Sequence, residues 1–267
     1  MGASCMHSLT TGNFNSAFGH MTMYASTTSS FNTAFGYQAL TDNTTGATNS
    51  VLGANAMSVN TTGGSNSAVG FYALSDNTTG SFNTALGYGA GITQATGSNN
   101  VFIGYNAEPV SGNLNNAVAI GSLSRVGVSN AIVLGSISGV GGAGTTARVG
   151  IGTTTPLTRL HMKGGLSVEP AATVSVTSDG QTVTVSDNSF LMLDSDNSTA
   201  TSRTVVLSDG LQTGQILIIE CTGGAVEFLE GTSNAQVSAT PLTLNNNDTA
   251  LFIWDSVDWI LISTHAN

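Results

Sequence analysis

The sequence predicts an all-β protein in which a trimeric parallel β-solenoid shaft, or β-roll, is followed by a β-sandwich tip at the C-terminus. Three observations predict this fold: a repeat through the first half of the chain, very few charges, and short apolar runs between turns in the second half. Only 7% of the 267 residues are charged, and 33 are Gly. Long helices take their solvent faces from Glu, Lys and Arg, so the composition disfavours a helical enzyme.

A glycine recurs every 17 residues from Gly2 to Gly121, and its neighbours recur with it. An Asn stands four positions before each of these glycines and an apolar residue directly before it, as in NSAFG (15–19) and NTALG (83–87). A Thr-Thr-Gly turn repeats in the same register. The repeated structural positions are Gly19, Gly36, Gly53, Gly70, Gly87, Gly104 and Gly121, with Asn15, Asn32, Asn49, Asn66, Asn83 and Asn100.

A repeat this short, with one β-type run and one glycine corner, fits a single coil of a parallel β-solenoid whose coils stack at about 4.8 Å. Eight coils would make a rod of roughly 40 Å. The Asn column is expected to bond amide to amide along the stack, as Asn ladders do. The Gly column is expected to mark corners where φ is positive or where a Cβ has no room.

Both faces of the predicted strands are apolar. Neighbouring residues of a strand face opposite sides, yet the pairs Ala17-Phe18 and Ala85-Leu86 are apolar on both. Ala39-Leu40 repeats the pattern on a second predicted strand. One face fills the coil and the other needs a partner, so we expect three chains to pack around a common axis.

The segment AVAIGSLSRVGVSNAIVLG, with a 14-residue period, resembles the head repeat of trimeric autotransporter adhesins, a left-handed parallel β-roll of three chains. SFNTALGYGA and SFNTAFGYQAL are similar to repeats of bacteriophage tail-fibre and receptor-binding proteins. The resemblance covers roughly residues 2–152 and implies a homotrimeric fibrous shaft or head. The sequence shows no signal peptide, coiled-coil stalk or C-terminal membrane strands, which favours a virion fibre attached to other virion or tail proteins at its N-terminal end.

The composition changes near residue 148, beyond which 16 of the 20 charges lie. We predict a shaft over 1–147, a connector over 148–165, whose VGIGTTTP resembles connectors of phage fibre proteins, and a tip over 166–267. Short strands between Asp-Gly and Gly-Gly turns are typical of a β-sandwich. The predicted strands of the tip are 173–176, 182–185, 190–194, 204–207, 215–221, 225–230, 241–244, 250–255 and 258–263.

Two sets of side chains are candidates for receptor contacts. Trp254, Asp255, Asp258 and Trp259 combine two indoles with two carboxylates at a predicted turn, and such groups hold a hexose by stacking and by accepting from its hydroxyls. The alternative is a β-hairpin whose indoles fill the core. Similarly, the aromatic residues that follow the corner glycines either stack on sugar rings or pack against the next coil. This aromatic column is Tyr37, Phe71, Tyr88 and Tyr105.

Several function classes are disfavoured. A net charge of −10 repels a phosphate backbone, so nucleic acid is not an expected partner. The sequence has no apolar run of membrane length. The four His and two Cys are scattered, so we expect no metal. GVGGAG (139–144) is not followed by a helical pattern, so we expect no dinucleotide cofactor. The carboxylates of the tip either bind Ca²⁺ or occupy solvated turns, and we expect the latter.

These observations predict host-cell attachment by binding, without catalytic residues, through a surface glycan or protein on the host. The predicted location is a virion, as a phage tail or capsid fibre, or alternatively an extracellular cell surface. The alternatives are a fragment of a bacterial trimeric surface adhesin, a purely structural virion decoration, and a depolymerase that cuts capsular polysaccharide.

Overall fold

The computed structural model describes residues 4–139, 142, 144–163, 173–185, 190–195, 203–208, 215–228, 235–236, 242–254 and 258–266. Every regular element within these ranges is a β-strand, so the predicted all-β class is confirmed. The chain divides into two compact units, Met1–Gly164 and Gly165–Asn267. Most of the predicted connector belongs to the first of them.

In the first unit, each repeat contributes one short strand to an eight-stranded parallel sheet ordered β1-β2-β3-β4-β5-β6-β8-β10. Neighbouring strands pair in register across the 17-residue period, so that Ala17 lies opposite Ala34. The offset shortens to 14 residues only between β8 and β10, where Val118 pairs with Ile132. The strands of this unit are β1 (Ser16–Phe18), β2 (Thr33–Phe35), β3 (Ser50–Leu52), β4 (Ser67–Val69), β5 (Thr84–Leu86), β6 (Val101–Ile103), β7 (Glu108–Pro109), β8 (Val118–Ile120), β9 (Arg125–Val126), β10 (Ile132–Leu134), β11 (Val149–Ile151) and β12 (Leu160–Met162).

The strands are short because each repeat turns repeatedly through left-handed backbone. In one repeat, Gln38, Leu40 and Thr48 have φ values of 53°, 55° and 60°. The expectation of a second strand at Ala39-Leu40 is therefore wrong: these residues lie in a turn. Both of their side chains are buried, because a left-handed residue breaks the alternation that would turn one of them outward.

The corner glycines meet both of the constraints considered for them. Along the column from Gly19 to Gly121, φ lies between 122° and 151°, a backbone that L side chains rarely adopt. A Cβ on Gly70 would also overlap the carbonyl oxygen of Gly87, one repeat further on. The repeats therefore stack too closely at this corner for any side chain.

The column from Asn15 to Asn100 forms a ladder along the stack, with a bonding pattern that differs from the expected one. Asn66 Oδ1 accepts from the backbone N–H of Asn83 at 2.9 Å, and Asn66 Nδ2 donates to the carbonyl oxygen of Gly80 at 2.9 Å. Direct amide-to-amide bonds are longer, such as 3.1 Å from Asn66 Nδ2 to Asn49 Oδ1. The ladder mainly satisfies the backbone where the chain enters each strand.

A second Asn ladder was not anticipated from the sequence. Asn60 Nδ2 donates to Asn43 Oδ1 at 2.8 Å, and Asn77 Nδ2 donates to Asn60 Oδ1 at 2.8 Å. All three side chains are buried. Here the amides bond directly to each other, which is the arrangement that had been expected of the first column.

In the second unit, two sheets contribute to one apolar core. Their strand orders are β13-β15-β17-β21-β22-β19 and β14-β16-β18-β20. All nine predicted strands of this unit are confirmed, and β19 is an addition. The strands are β13 (Thr173–Val176), β14 (Gln181–Val183), β15 (Phe190–Ser195), β16 (Arg203–Leu207), β17 (Ile216–Thr222), β18 (Val226–Phe228), β19 (Ala235–Gln236), β20 (Leu242–Leu244), β21 (Thr249–Trp254) and β22 (Trp259–His265).

The pairing in this unit differs from the hairpins that the turn residues suggest. Successive strands from β13 to β18 alternate between the two sheets, so the turn at Asp179-Gly180 links one sheet to the other. Gly223-Gly224 does the same between β17 and β18. Within each sheet these strands are parallel, and antiparallel pairing begins only with β17–β21 and β18–β20.

Candidate functional site

The two candidate receptor-binding tryptophans lie in the core of the C-terminal unit. Trp254 is 5% exposed and Trp259 is fully buried. The two residues pair across the β21–β22 hairpin, with ring centroids 5.4 Å apart. Trp259 Nε1 donates to the carbonyl oxygen of Ser208 at 2.9 Å. The expectation that the indoles stack on a hexose is therefore corrected, because their faces are covered by protein; the hairpin alternative describes their packing.

The carboxylates of the same motif have separate positions. Asp258 precedes β22 and is partly buried, while Asp255 lies outside the described residues. Without an exposed indole beside it, Asp258 cannot complete the proposed combination of stacking and hydrogen bonding. Spacing in the sequence could not have shown this, since a Trp at each end of a hairpin turn can face either side of the sheet.

The aromatic column of the first unit is exposed, but its members stack on each other. Tyr88 lies between Phe71 and Tyr105, with centroid distances of 5.5 Å on both sides. Tyr37 stacks in the same way on His20 at 5.6 Å. Each of the four predicted rings keeps between 41% and 52% of its surface exposed. Since neighbouring rings cover the faces, what these stacks offer solvent is chiefly ring edges.

The largest regular apolar surface is the outward face of the eight-stranded sheet. On each strand the central residue points inward and its neighbours point outward, so that Ala34 is buried while Phe35 is 41% exposed. The residue directly before each corner glycine forms an outward column, of which Ile103 is partly buried. The other members are between 38% and 56% exposed: Phe18, Phe35, Leu52, Val69, Leu86, Ile120 and Leu134.

Additional apolar side chains widen this outward face. Phe14 is 78% exposed and stacks on Phe31 at 5.0 Å, in the column just before the strands. Phe82 repeats that position at 62% exposure, and Ile132 extends the strand face at 69%. A contiguous exposed apolar face of this kind marks an interaction surface. We call it the outward sheet face.

Within the described ranges, no three His, Cys, Asp or Glu side chains come close enough to hold a metal ion. The same residues include no helix of sufficient length and apolarity to cross a membrane. Cys221 lies in the core, where burial, assisted by the nearby Asp248 carboxylate, raises the pKa of its thiol to about 12. Such a thiol stays protonated and unreactive.

Comparison with known protein families, with curated proteins and with solved structures finds no match to this chain. The functional argument therefore rests on its own residues and their geometry.

Proposed function

We propose that the chain is a homotrimeric virion fibre protein that attaches to a host-cell surface. In this proposal the repeats form a parallel β-solenoid shaft and the C-terminal unit forms a β-sandwich tip. The observation that carries the proposal is the outward sheet face, an apolar surface that a single chain leaves in water.

Repetition favours other copies of the chain as the partner of this face. The outward column keeps its apolar character through eight strands at a constant rise, so a second copy aligned along the same axis meets it row for row. Each half-exposed side chain offers roughly 100 Å², and eight rows then give roughly 800 Å², the area that a stable interface buries on each partner. Three chains around one axis would shield the face of each.

Attachment follows from what such an assembly presents. Three identical sites on a rigid rod, and several rods on a particle, raise a weak contact to useful avidity through effective concentration. The low charge of the first unit and its closely bonded repeats are consistent with a scaffold. With both tryptophans in the core, no described residue of the β21–β22 hairpin keeps an indole available for the receptor.

Light scattering after size exclusion tests the assembly. The wild-type chain should have a mass near three times 26.9 kDa. Leu86→Asp places a carboxylate on the outward sheet face and should reduce the mass to that of one chain. Thr79→Asp, which adds the same charge at another exposed position, should leave the trimer intact. A wild-type monomer contradicts the proposal.

Binding of the labelled full chain to purified bacterial surface polysaccharides and to whole cells tests attachment. Saturable binding that unlabelled chain displaces supports a receptor role. A trimer that binds no cell or polysaccharide favours a structural decoration instead. Release of reducing ends from a polysaccharide would identify a depolymerase.

A further inference from the structure

The few cations of the chain are concentrated in one segment. Residues 109–168 contain four of the five Lys and Arg residues and no Asp or Glu, in a chain whose net charge is −10. Arg125 forms an ion pair with Glu108. The other three, Arg148, Arg159 and Lys163, have no ion pair with any described residue. An acidic protein thus keeps a small region of uncompensated positive charge.

The backbone places two of these cations next to each other. Strands β11 and β12 are parallel, with Val149 opposite Leu160. Arg148 directly precedes the first strand and Arg159 directly precedes the second, so they occupy matching positions about 4.8 Å apart on neighbouring strands. The Val149 N–H donates to the carbonyl oxygen of Arg159 at 2.7 Å, which fixes this register.

Both arginines line a cavity of about 510 Å³ formed by the segments before and between these strands. Thr145, Thr146 and Thr158 also line it. Arg148 Nη1 donates to the carbonyl oxygen of Pro156 at 3.0 Å, which orients that guanidinium while leaving its other donors available.

The hydroxyl groups of the cavity add donors. Thr146 Oγ1 accepts from the backbone N–H of Ser138 at 3.1 Å, so its own hydrogen remains to be donated. Thr158, in contrast, already donates to the carbonyl oxygen of Leu160 at 2.6 Å. A ligand that accepts hydrogen bonds therefore finds two guanidinium groups and at least one hydroxyl.

Like charges at matching positions of neighbouring strands destabilise a sheet. An oxyanion between Arg148 and Arg159 would remove that repulsion and accept the planar pairs of N–H bonds that guanidinium groups offer to carboxylate and phosphate. The cavity volume lies within the range of small-ligand sites, about 300–1,000 Å³, and is large enough for a charged sugar residue.

We propose that this arginine cavity binds the carboxylate or phosphate group of an acidic surface polysaccharide. The choice of a polysaccharide rests on the proposed attachment function. The site moves receptor contact from the tip, where the tryptophans are buried, to the segment that ends the first unit.

Isothermal titration of the full chain tests the proposal with three probes: oligogalacturonate for carboxylate, poly(glycerol phosphate) for phosphate, and dextran as a neutral polymer. One acidic probe should bind and dextran should not. Arg159→Gln should weaken that binding roughly tenfold or more, since it removes charged hydrogen bonds. Arg159→Lys should retain part of the affinity.

Lys163→Gln is the matched control, because it removes the same charge from a residue that does not line the cavity. It should change the affinity less than about twofold. Equal weakening by Lys163→Gln and Arg159→Gln, or no binding of either acidic probe, would overturn the cavity. Binding that depends on Arg159 in a monomeric chain would overturn the trimer but not the cavity, whereas a trimer that attaches to cells independently of Arg159 would overturn only the cavity.

Discussion

The Phe102 ring occupies the space into which a side chain on Gly91 would project. A Cβ on Gly91 would come within 2.7 Å of Phe102 Cδ2 and within 2.8 Å of Leu74 Cδ2. Gly91 continues the column of Met57 and Leu74, while Phe102 continues the column of small residues that includes Ala85. The two departures from the repeat therefore compensate for each other in volume.

Exchanging these volumes should show the compensation in stability. Phe102→Ala should lower the free energy of unfolding by about 3–5 kcal/mol, because it leaves a cavity. Gly91→Leu should cost about 1–3 kcal/mol through overpacking. The double variant restores the usual pattern of the repeat and should recover most of both losses in urea unfolding at fixed protein concentration. Additive losses would show that the two positions are independent.

The first Asn ladder should depend on each of its members. Asn66→Leu removes the acceptor for the Asn83 N–H and the donor to the Gly80 carbonyl oxygen. Both backbone groups would remain buried without partners, so the free energy of unfolding should fall by about 2–4 kcal/mol. Thermal unfolding measures the loss. The control Asn113→Leu, at an exposed position, should change it by about 0.5 kcal/mol or less.

The ion pair between Arg125 and Glu108 lies in the core column that Leu74 occupies earlier in the chain. Glu108 is 4% exposed, and its Oε2 and Arg125 Nε are buried without hydrogen-bond partners in the described structure. Arg125→Leu alone should therefore cost about 3 kcal/mol by leaving a buried carboxylate unpaired. The double variant Glu108→Leu/Arg125→Leu should be within about 1 kcal/mol of wild type, or more stable, in chemical unfolding. A double variant as unstable as the single one would contradict this.

The stability of the C-terminal unit should fall at alkaline pH because of Cys221. Below about pH 8 both the folded and the unfolded chain hold the thiol proton. As the pH rises toward 12, the unfolded thiol ionises first, since burial raises the folded pKa to about 12. Ionisation then favours unfolding. The difference in unfolding free energy between wild type and Cys221→Ala should shrink from pH 7.5 to pH 10.5; a constant difference would contradict the raised pKa.

The strands of the first unit could be predicted from the sequence because one pattern recurs at a fixed period. The same pattern contained the second Asn ladder, since Asn43, Asn60 and Asn77 each stand three residues before the Gly of a Thr-Thr-Gly turn. We interpreted them only as parts of turns. Their spacing was the signal that could have identified them.

Other features depend on distances that a pattern does not contain. Asp179-Gly180 permits a hairpin or a link between sheets, and only the packing of the core decides between them. The burial of Trp254 and Trp259 and the pairing of Phe102 with Gly91 likewise follow from contacts between side chains. The arginine cavity required the parallel register of Val149 with Leu160, because 11 residues of sequence separate Arg148 from Arg159.

The constant 17-residue offset between strands makes molecular length a matter of copy number. Duplication or loss of one whole unit would lengthen or shorten the stack by about 4.8 Å while preserving both Asn ladders and the outward sheet face. An insertion one residue longer or shorter would exchange inward and outward side chains in every strand after it. Changes by whole units thus offer a route by which reach can be altered without redesigning any contact.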